Sequence, residues 1–299
     1  MAASRSESNH ERHVMAQPTS MLEIAQDIFL GSFMFDFARY LIAASLIAGL
    51  VWILRRTSWA SRKIQAREAS RADFIREFSA SIRTVVVYTV LAVPMVWAFR
   101  NGYLREYRGA MTPLAYAGYL AAMLLAHDTY FYWTHRAMHM PRLFKSFHRF
   151  HHRTVTPTPW TAYSFAVPEA AMMMLFMPLY FAFVPTPVPV VFTFLAIMIL
   201  RNAMGHAGLE LHPRGWATHP VLKWITTTTH HDLHHAGSFN HNFGLYFTWW
   251  DKLMGTEHPD YVAKFNEVTA PGRLVANVSP APHHGLRGDA VLTVESQRG

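Results

Sequence analysis

Long apolar stretches separated by short polar segments run through most of this chain. A helix needs about 20 residues to cross the hydrocarbon core of a bilayer, so these stretches predict membrane-spanning helices, some of them tilted or only partly inserted. The prolines between 185 and 189 divide the last two stretches, because proline interrupts a helix. The predicted spans are residues 37–54, 84–99, 113–126, 165–184 and 188–200.

Polar and mixed segments flank these spans. Residues 1–20 are polar and aperiodic, whereas residues 21–36 mix apolar and acidic side chains and are expected to lie along the membrane interface. We therefore divide the chain into a mobile N-terminal tail (1–30), a membrane-embedded domain (31–262) and a C-terminal tail (263–299). No basic segment leads directly into an apolar core with a small-residue cleavage site, so no signal peptide is expected.

The segment between the first two spans is rich in arginine and lysine, from Arg55 to Arg83. Such enrichment marks the cytoplasmic side of a membrane protein. The third span then runs inward and leads to His135, and the hairpin of residues 165–200 returns to the same side before His206. The sequence thus predicts an all-α integral membrane helical bundle of about four to five spans, with a cytoplasmic histidine-rich helical cap. The charge alternation argues against the alternative, a large soluble protein with these segments as core helices.

Composition supports a membrane protein. The chain is 51% hydrophobic and only 15% charged, well below the charged fraction of typical soluble domains. Because it has no cysteine, disulfides, thiolate-ligated haem and cysteine-bound iron–sulfur clusters are excluded. The net charge of +8 would also suit a nucleic-acid partner. However, the basic residues cluster beside apolar segments, which favours a membrane surface and no nucleic acid.

Three runs of histidines carry the clearest chemical signal. His135 and His139 are four residues apart, and the other two runs each place histidines at offsets of zero, three and four. On a helix these offsets share one face, and neutral imidazole is a good ligand for iron, zinc and copper. Each run is therefore expected to present two or three ring nitrogens to one point, and eight such ligands predict a second metal ion. The other runs are His148, His151 and His152, and His231, His234 and His235.

Two carboxylates and a tyrosine accompany these runs as candidate catalytic residues. Asp128, Tyr132, His135 and His139 fall on one helical stripe. We expect Asp128 either to orient a ligand imidazole or to pair with a basic residue such as Arg136 or with a neighbouring helix. Asp232 lies inside the last run and is expected to orient a ligand in the same way or to cap a helix.

The motifs together resemble the fatty acid hydroxylase / sterol desaturase superfamily. The pattern is His-Arg-x-x-His, then His-x-x-His-His twice, followed by Asn-x-Gly-x-Tyr-Phe-Thr-x-Trp-Asp at residues 242–251. The chain is most similar to the sterol C-5 desaturases, which also share the Thr-Pro run at 156–159, and the resemblance covers about residues 70–260. It implies a bacterial inner-membrane protein with a cytoplasmic site for two iron ions, in which zinc can substitute. The ligands it implies are His135, His139, His148, His151, His152, His206, His231, His234 and His235, with His212 and His230 as further candidates.

The resemblance also implies an activity: hydroxylation or desaturation of a lipid C–H bond with dioxygen and two external electrons. The chain shows no Gly-x-Gly-x-x-Gly motif for a flavin or nicotinamide, so a separate electron-transfer protein and its reductase are expected as partners. Arg142, Lys145, Arg149 and Arg153 either attract that carrier or contact lipid headgroups. A histidine-rich metal transporter and a noncatalytic zinc-stabilised scaffold are the alternatives.

The substrate is expected to enter from the bilayer, because apolar helices surround the histidine runs. Met172 to Met174, Phe176, Met177 and Phe181 either line a tunnel for it, since methionine adapts to irregular walls, or simply face lipid. The sequence leaves a sterol, a carotenoid ring, an acyl chain and a lipid headgroup open as the part that reacts.

Overall fold

The regular secondary structure is helical throughout the residues that the structure, a computed structural model, describes, which are 21–104, 107, 109–237 and 239–273. This confirms the predicted all-α class. The ten helices are α1 (Met21–Leu54), α2 (Arg71–Arg100), α3 (Pro113–Met138), α4 (Pro141–Phe147), α5 (Val167–Met174), α6 (Phe176–Phe183), α7 (Val188–Gly205), α8 (Thr228–His235), α9 (Trp249–Leu253) and α10 (Tyr261–Val268).

Three of these helices are long and apolar enough to cross a membrane, namely α1, α2 and α7. The predicted count of four to five spans is therefore supported only in part. The helix expected at 113–126 begins at Pro113 but continues as far as Met138, and its second half carries polar residues. The segment 167–183 is a shorter apolar stretch made of α5 and α6.

Two predicted boundaries differ from the structure. Helix α1 begins at Met21, so residues 21–36 continue the first spanning helix instead of forming a separate interfacial segment. At the other end, α10 extends to Val268 and so includes the first residues of the expected C-terminal tail. Residues 21–30 of the expected N-terminal tail thus belong to α1, and residues 1–20 and 274–299 of the two expected tails lie outside the described residues.

The core of the bundle forms where α1, α2 and α7 meet. Small side chains let these helices approach one another closely, and Tyr163, from the chain just before α5, fills the space between them. Tyr40 of α1 stacks on Tyr163 with ring centroids 5.6 Å apart. The buried residues are Tyr40, Ala43, Ala44 and Ile47 of α1, Val85 and Tyr88 of α2, and Ile199 and Ala203 of α7.

Proline sets the break between α5 and α6. Pro178 lies in the first turn of α6, and a proline ring clashes with the carbonyl of the residue four positions earlier. That residue is Met174, the last of α5, and the chain turns at Leu175. The break leaves α5 as a short helix beside the histidine-bearing segments.

The loop between α1 and α2 joins the segment that follows α7. The Ile64 amide donates to the Gly208 carbonyl at 3.2 Å, and the Glu210 amide donates to the Arg62 carbonyl at 3.0 Å. The C-terminal ends of α1 and α7 therefore lie at the same end of the bundle. The histidine-bearing segments meet at this end, as the predicted topology requires.

Candidate metal centre

Nine of the eleven histidines predicted as metal ligands gather in two groups at this end of the bundle. Within each group every histidine offers one ring nitrogen, and these nitrogens lie within 4.8 Å of one another. We call them the first and second histidine groups. The first consists of His135, His139, His148, His152 and His234, and the second of His151, His206, His231 and His235.

The ends of three helices supply most of these residues. His135 lies in the last turn of α3 and His139 is its C-cap, so their spacing of four places both rings on one face, as predicted. His206 is the C-cap of α7. Helix α8 carries the last histidine run and starts at the N-cap Thr227, whose hydroxyl accepts from the His230 amide.

Each run presents two ring nitrogens to one group, within the predicted two or three, but two of the three runs give their third histidine to the other group. His148 and His152 belong to the first group, whereas His151 belongs to the second. The chain from 148 to 152 is not a continuous α-helix, since α4 ends at Phe147 and a short 3₁₀ turn follows. On α8 the last run is likewise divided, and only His234 joins the first group. Both runs thus contribute to both groups and hold them side by side.

Within each group, the ring nitrogens that face one another are separated by 2.9–3.3 Å. In the first group, His135 Nε2 lies 2.9 Å from His148 Nε2, and His139 Nε2 lies 3.2 Å from His152 Nε2. In the second group, His206 Nε2 lies 3.3 Å from that of His151 and 3.0 Å from that of His231.

The outward nitrogens fix the tautomer of most rings. His135 Nδ1 donates to the Phe243 carbonyl at 2.9 Å, so its Nε2 carries a lone pair. Such partners orient metal-bound imidazoles and raise their basicity. The other Nδ1 donors are His148 to Glu169 Oε1 (2.6 Å), His151 to the Ser164 carbonyl (3.3 Å), His206 to the Asn202 carbonyl (2.8 Å), His234 to the His241 carbonyl (2.7 Å) and His235 to the Thr154 carbonyl (2.9 Å).

These tautomers leave no proton between the facing nitrogens of two pairs, His135 with His148 and His151 with His206. His135 and His148 both donate through Nδ1, so their Nε2 lone pairs point at each other across 2.9 Å. Lone pairs at that distance repel unless a cation lies near both. In addition, Nε2 of His234 and of His235 is buried without a hydrogen-bond partner, which is costly for a polar atom. A metal cation in each group would give these nitrogens a partner.

Burial keeps the imidazoles neutral, as a metal ligand must be. It lowers the pKa of His231, His234 and His235 well below the ordinary value, because a charged ring loses its hydration, and the neighbouring rings add to the effect. The same cause lowers the pKa of His206 to about 4. At neutral pH the site therefore presents lone pairs, and nitrogen-only donors of this kind suit iron, zinc or copper.

Two predicted ligands, His212 and His230, lie outside both groups. His212 Nδ1 donates to Glu210 Oε1 at 2.7 Å, and Glu210 Oε2 accepts from the Thr229 amide at 2.7 Å. Glu210 thereby ties His212 to the start of α8. The His230 ring packs against Tyr261 instead, with centroids 5.1 Å apart.

The three candidate catalytic residues contact protein groups other than the ligand imidazoles. Asp128 Oδ1 accepts from the Tyr246 and Phe247 amides at 3.0 and 3.2 Å, and its Oδ2 accepts from Trp249 Nε1 at 2.6 Å. It therefore anchors the loop before α9 and, through Trp249, α9 itself, which is the neighbouring-helix alternative; it pairs with neither an imidazole nor Arg136. The contacts of the other two are Tyr132 Oη to Thr256 Oγ1 at 2.9 Å and Gln65 Nε2 to Asp232 Oδ1 at 2.9 Å.

These contacts predict a structural effect for the substitution Asp128→Asn. The amide keeps one acceptor oxygen but presents an N–H group where Trp249 or the loop amides now donate. We expect a loss of about 1–3 kcal/mol in the free energy of unfolding and no loss of bound metal. Thermal unfolding and metal content of the purified variant check this, and a metal-depleted but equally stable variant would show a role at the ligands.

The motif at residues 242–251 supports the first group through its backbone. Asp251 accepts from the Phe243 and Gly244 amides at 2.9 Å each, which places the Phe243 carbonyl opposite His135. A Cβ on Gly244 would lie 2.4 Å from the Phe247 carbonyl oxygen, so only glycine fits there. Asn242 has a φ of 59°, a conformation that asparagine tolerates better than most residues.

Two buried glutamates that the sequence reasoning missed also position ligands. Glu169 of α5 is 1% exposed and holds His148. Glu77 of α2 accepts from the hydroxyls of Thr154, Thr158 and Thr161 at 2.8–3.0 Å, and Thr154 in turn accepts from His235. Both are acidic residues inside apolar helices, and that alone marks a functional candidate in a membrane protein.

An apolar cavity of about 370 Å³ lies between the helices near the metal centre, and none of the nine grouped histidines belongs to its wall. Its wall includes the predicted residues Met173, Met174, Phe176, Met177 and Phe181, whereas Met172 is not part of it. A smaller cavity touches rings of both histidine groups and shares Phe131, Phe165, Met173 and Asn202 with the larger one. The volume is within the range of lipid-sized and drug-sized ligand sites.

Comparison with known proteins agrees with this site. The family model described as fatty acid hydroxylase matches residues 120–256. No solved structure matches the chain. The chain is 23% identical to the methylsterol monooxygenase erg25B of Aspergillus fumigatus over 69% of its own length and 72% of that protein. It is 26% identical to the Delta(7)-sterol 5(6)-desaturase erg3B of Aspergillus fumigatus over 77% and 64% of the two chains.

The cholesterol 25-hydroxylase of Mus musculus is 32% identical to the chain over 44% of each protein. Across these three relatives the match spans between 44% and 72% of the relative's length. The matches confirm the resemblance seen in the histidine motifs. Residues 120–256, which carry all three histidine runs, therefore belong to the fatty acid hydroxylase / sterol desaturase superfamily of oxidoreductases.

Proposed function

We propose that the protein is a membrane-bound non-haem di-iron oxygenase that hydroxylates or desaturates a C–H bond of a lipid. One observation carries the proposal: two adjacent groups of inward-facing, unprotonated imidazoles line a small cavity that shares four wall residues with a larger apolar cavity. The relatives are named for acting on sterols, which favours a sterol-like lipid over a carotenoid or an acyl chain as the substrate.

The first histidine group would hold one iron ion and the second group the other. Iron bound there would supply the reduction of dioxygen and the removal of hydrogen from an unactivated C–H bond. The chain's own residues orient the ligands and exclude water. Glu169 and the backbone carbonyls fix the rings, and Phe131, Met138 and Phe165 cover the small cavity beside them.

The larger cavity would bind the lipid. Its wall is mostly aliphatic, aromatic and methionine side chains, so apolar burial is the main source of affinity. Because Asn202 lines both cavities, a lipid that fills the larger one reaches the metal centre at that residue. We place the centre on the cytoplasmic side of the membrane, since the arginine-rich loop after α1 lies at the same end of the bundle.

A separate electron carrier would dock over His139. Of the nine grouped histidines, His139 is half-buried and the other eight are buried. A surface cavity beside it is lined by Trp133, Arg136 and Met140. Arg142, Lys145, Arg149 and Arg153 are exposed nearby in the chain, and a basic surface steers an acidic partner.

The docking proposal predicts the effect of charge reversal. Changing Arg142 and Lys145 together to glutamate should raise the carrier concentration needed for half-maximal turnover by about tenfold and weaken its salt dependence. Turnover driven by a small chemical reductant should not change. The matched control is Arg71→Glu, an exposed arginine at the start of α2. An equal effect of the control would point to the headgroup alternative.

The function is tested by adding dioxygen and a reductant to the iron-loaded protein in membranes. We expect dioxygen consumption and a lipid product whose mass is about 16 higher, for an alcohol, or about 2 lower, for an alkene. These shifts follow from inserting oxygen or removing two hydrogens. A metal transporter or a zinc-stabilised scaffold would bind metal without consuming dioxygen, and that result would refute the proposal.

A further inference from the structure

The large apolar cavity has one charged corner, where α1 meets α7. Asp36 and Arg39, one turn apart on α1, both line it. Arg39 Nη2 donates to Asp36 Oδ1 at 2.5 Å, and its Nη1 donates to the Leu195 carbonyl of α7 at 3.1 Å. Their side chains are only 9% and 12% exposed. Ionisable residues inside a spanning helix are costly and usually mark a functional site.

Two hydrogen-bond donors at this corner have no acceptor among the residues that the structure describes. Arg39 Nε and the Tyr163 hydroxyl are both buried and unpartnered. The guanidinium carbon of Arg39 lies 5.8 Å from the centre of the Tyr163 ring, and both residues line the cavity. An unsatisfied buried donor costs free energy, so this corner is suited to a ligand oxygen.

The corner lies at a defined distance from the metal centre. Arg39 bonds to Leu195 of α7, and His206, a member of the second histidine group, follows eleven residues later in the chain. At 1.5 Å per residue this separates the two points by about 16 Å along the helix axis. A lipid held at the corner therefore presents to the metal centre a carbon well removed from its polar group.

We propose that Asp36, Arg39 and Tyr163 bind a hydroxyl group of the lipid substrate, and so select a lipid alcohol. A hydroxyl both donates and accepts, and this corner offers a carboxylate acceptor beside two spare donors. Because Asp36 already neutralises Arg39, the corner has no net charge and disfavours a carboxylate or phosphate headgroup. The inference rests on the proposed function, since it assumes that the cavity holds the lipid that reacts.

The competing explanation is that the ion pair only ties α1 to α7. That role accounts for the bond from Arg39 to Leu195, and replacing Arg39 would disrupt the fold under either explanation. It does not involve the Tyr163 hydroxyl, which bonds to no protein group. Tyr163→Phe therefore separates the two, because it removes only an atom that the structural role does not use.

The test measures binding to the purified, metal-loaded protein by displacement of a fluorescent lipid, with four probes. These are octadecan-1-ol and octadecane, and cholesterol and cholestane, so that each pair differs by one hydroxyl. We expect at least one alcohol to bind about tenfold more tightly than its hydrocarbon, as one to two satisfied hydrogen bonds allow. Tyr163→Phe should reduce that preference to about threefold or less, and octadecanoate should bind more weakly than octadecan-1-ol.

The control variant is Tyr40→Phe. Tyr40 stacks on Tyr163, but its hydroxyl donates to the Trp160 carbonyl at 3.0 Å, so the alcohol preference should remain. Equal affinity for alcohols and hydrocarbons, or an unchanged preference in Tyr163→Phe, would overturn this inference and leave the proposed function intact. If none of the four probes displaced the lipid, the cavity would not be a lipid site, and the proposed function would fail with it.

Discussion

Replacing His206 by alanine should remove one of the two metal ions and reduce turnover by at least about a thousandfold. His206 Nε2 faces both His151 and His231, so its loss leaves the second group with three rings. If the proposed reaction needs a metal ion in each group, the rate falls because a group that acts in the transition state is lost. Metal analysis and product formation measure the two effects separately.

His212→Ala is the control for this substitution. His212 is also buried, but it bonds to Glu210 and lies outside both groups. Two metal ions should remain in that variant, with a modest loss of stability. If His206→Ala kept two metal ions, or if His212→Ala lost one, the assignment of ligands to groups would be incorrect.

Replacing Glu169 should weaken metal binding in the first group without removing a ligand. Glu169 Oε1 accepts from His148 Nδ1 at 2.6 Å, and loss of such a partner typically lowers metal affinity or activity 10- to 100-fold, by the general behaviour of metal-bound histidines. We expect about that loss of iron affinity for Glu169→Ala. The iron affinity of Glu169→Gln should lie between that of Glu169→Ala and that of the unmodified protein, since the amide oxygen still accepts but carries no charge.

Glu267→Gln provides the comparison for this pair. Glu267 lies on α10 at the surface, where its side chain is 52% exposed and pairs with Lys264 and Arg273. The iron affinity of the Glu267→Gln variant, measured by competition with a chelator, should equal that of the unmodified protein. Equal iron affinity in Glu169→Ala and the unmodified protein would show that the carboxylate does not tune His148.

Part of the histidine clustering could be predicted from sequence because the spacing within a run is local. His135 and His139 occupy one face of α3 through a helical offset of four, and the structure places both in the first group. The division of the other two runs between the two histidine groups could not be predicted in this way. His151 leaves its run because the helix ends at Phe147 and a 3₁₀ turn begins at His151, and no local pattern of side chains specifies that change.

The contacts that orient the ligands are long-range and were accordingly missed. Glu169 reaches His148 across 21 residues, and Glu77 reaches Thr154 across 77. Asp128 shows the opposite case. Its position on the ligand stripe suggested a role at an imidazole, but the loop at 246–249 folds back onto it from more than a hundred residues away and takes up both oxygens.

The extent of the spanning helices was likewise only partly predictable from local sequence. Hydropathy located α1, α2 and α7, whose apolar lengths suffice to cross a bilayer. It did not show that α1 starts as early as Met21, because Asp36 lowers the apolar character of the segment before the predicted start. In the structure that aspartate is buried beside Arg39, so its charge is balanced within the helix and the span continues through it.

The central claim is that the two histidine groups each hold one iron ion through nitrogen ligands. Iron analysis combined with X-ray absorption spectroscopy on the purified full-length protein tests it most directly. We expect close to two iron ions per chain, each surrounded by nitrogen donors and with a second iron nearby. A single iron per chain, or an iron environment without histidine nitrogens, would contradict the account.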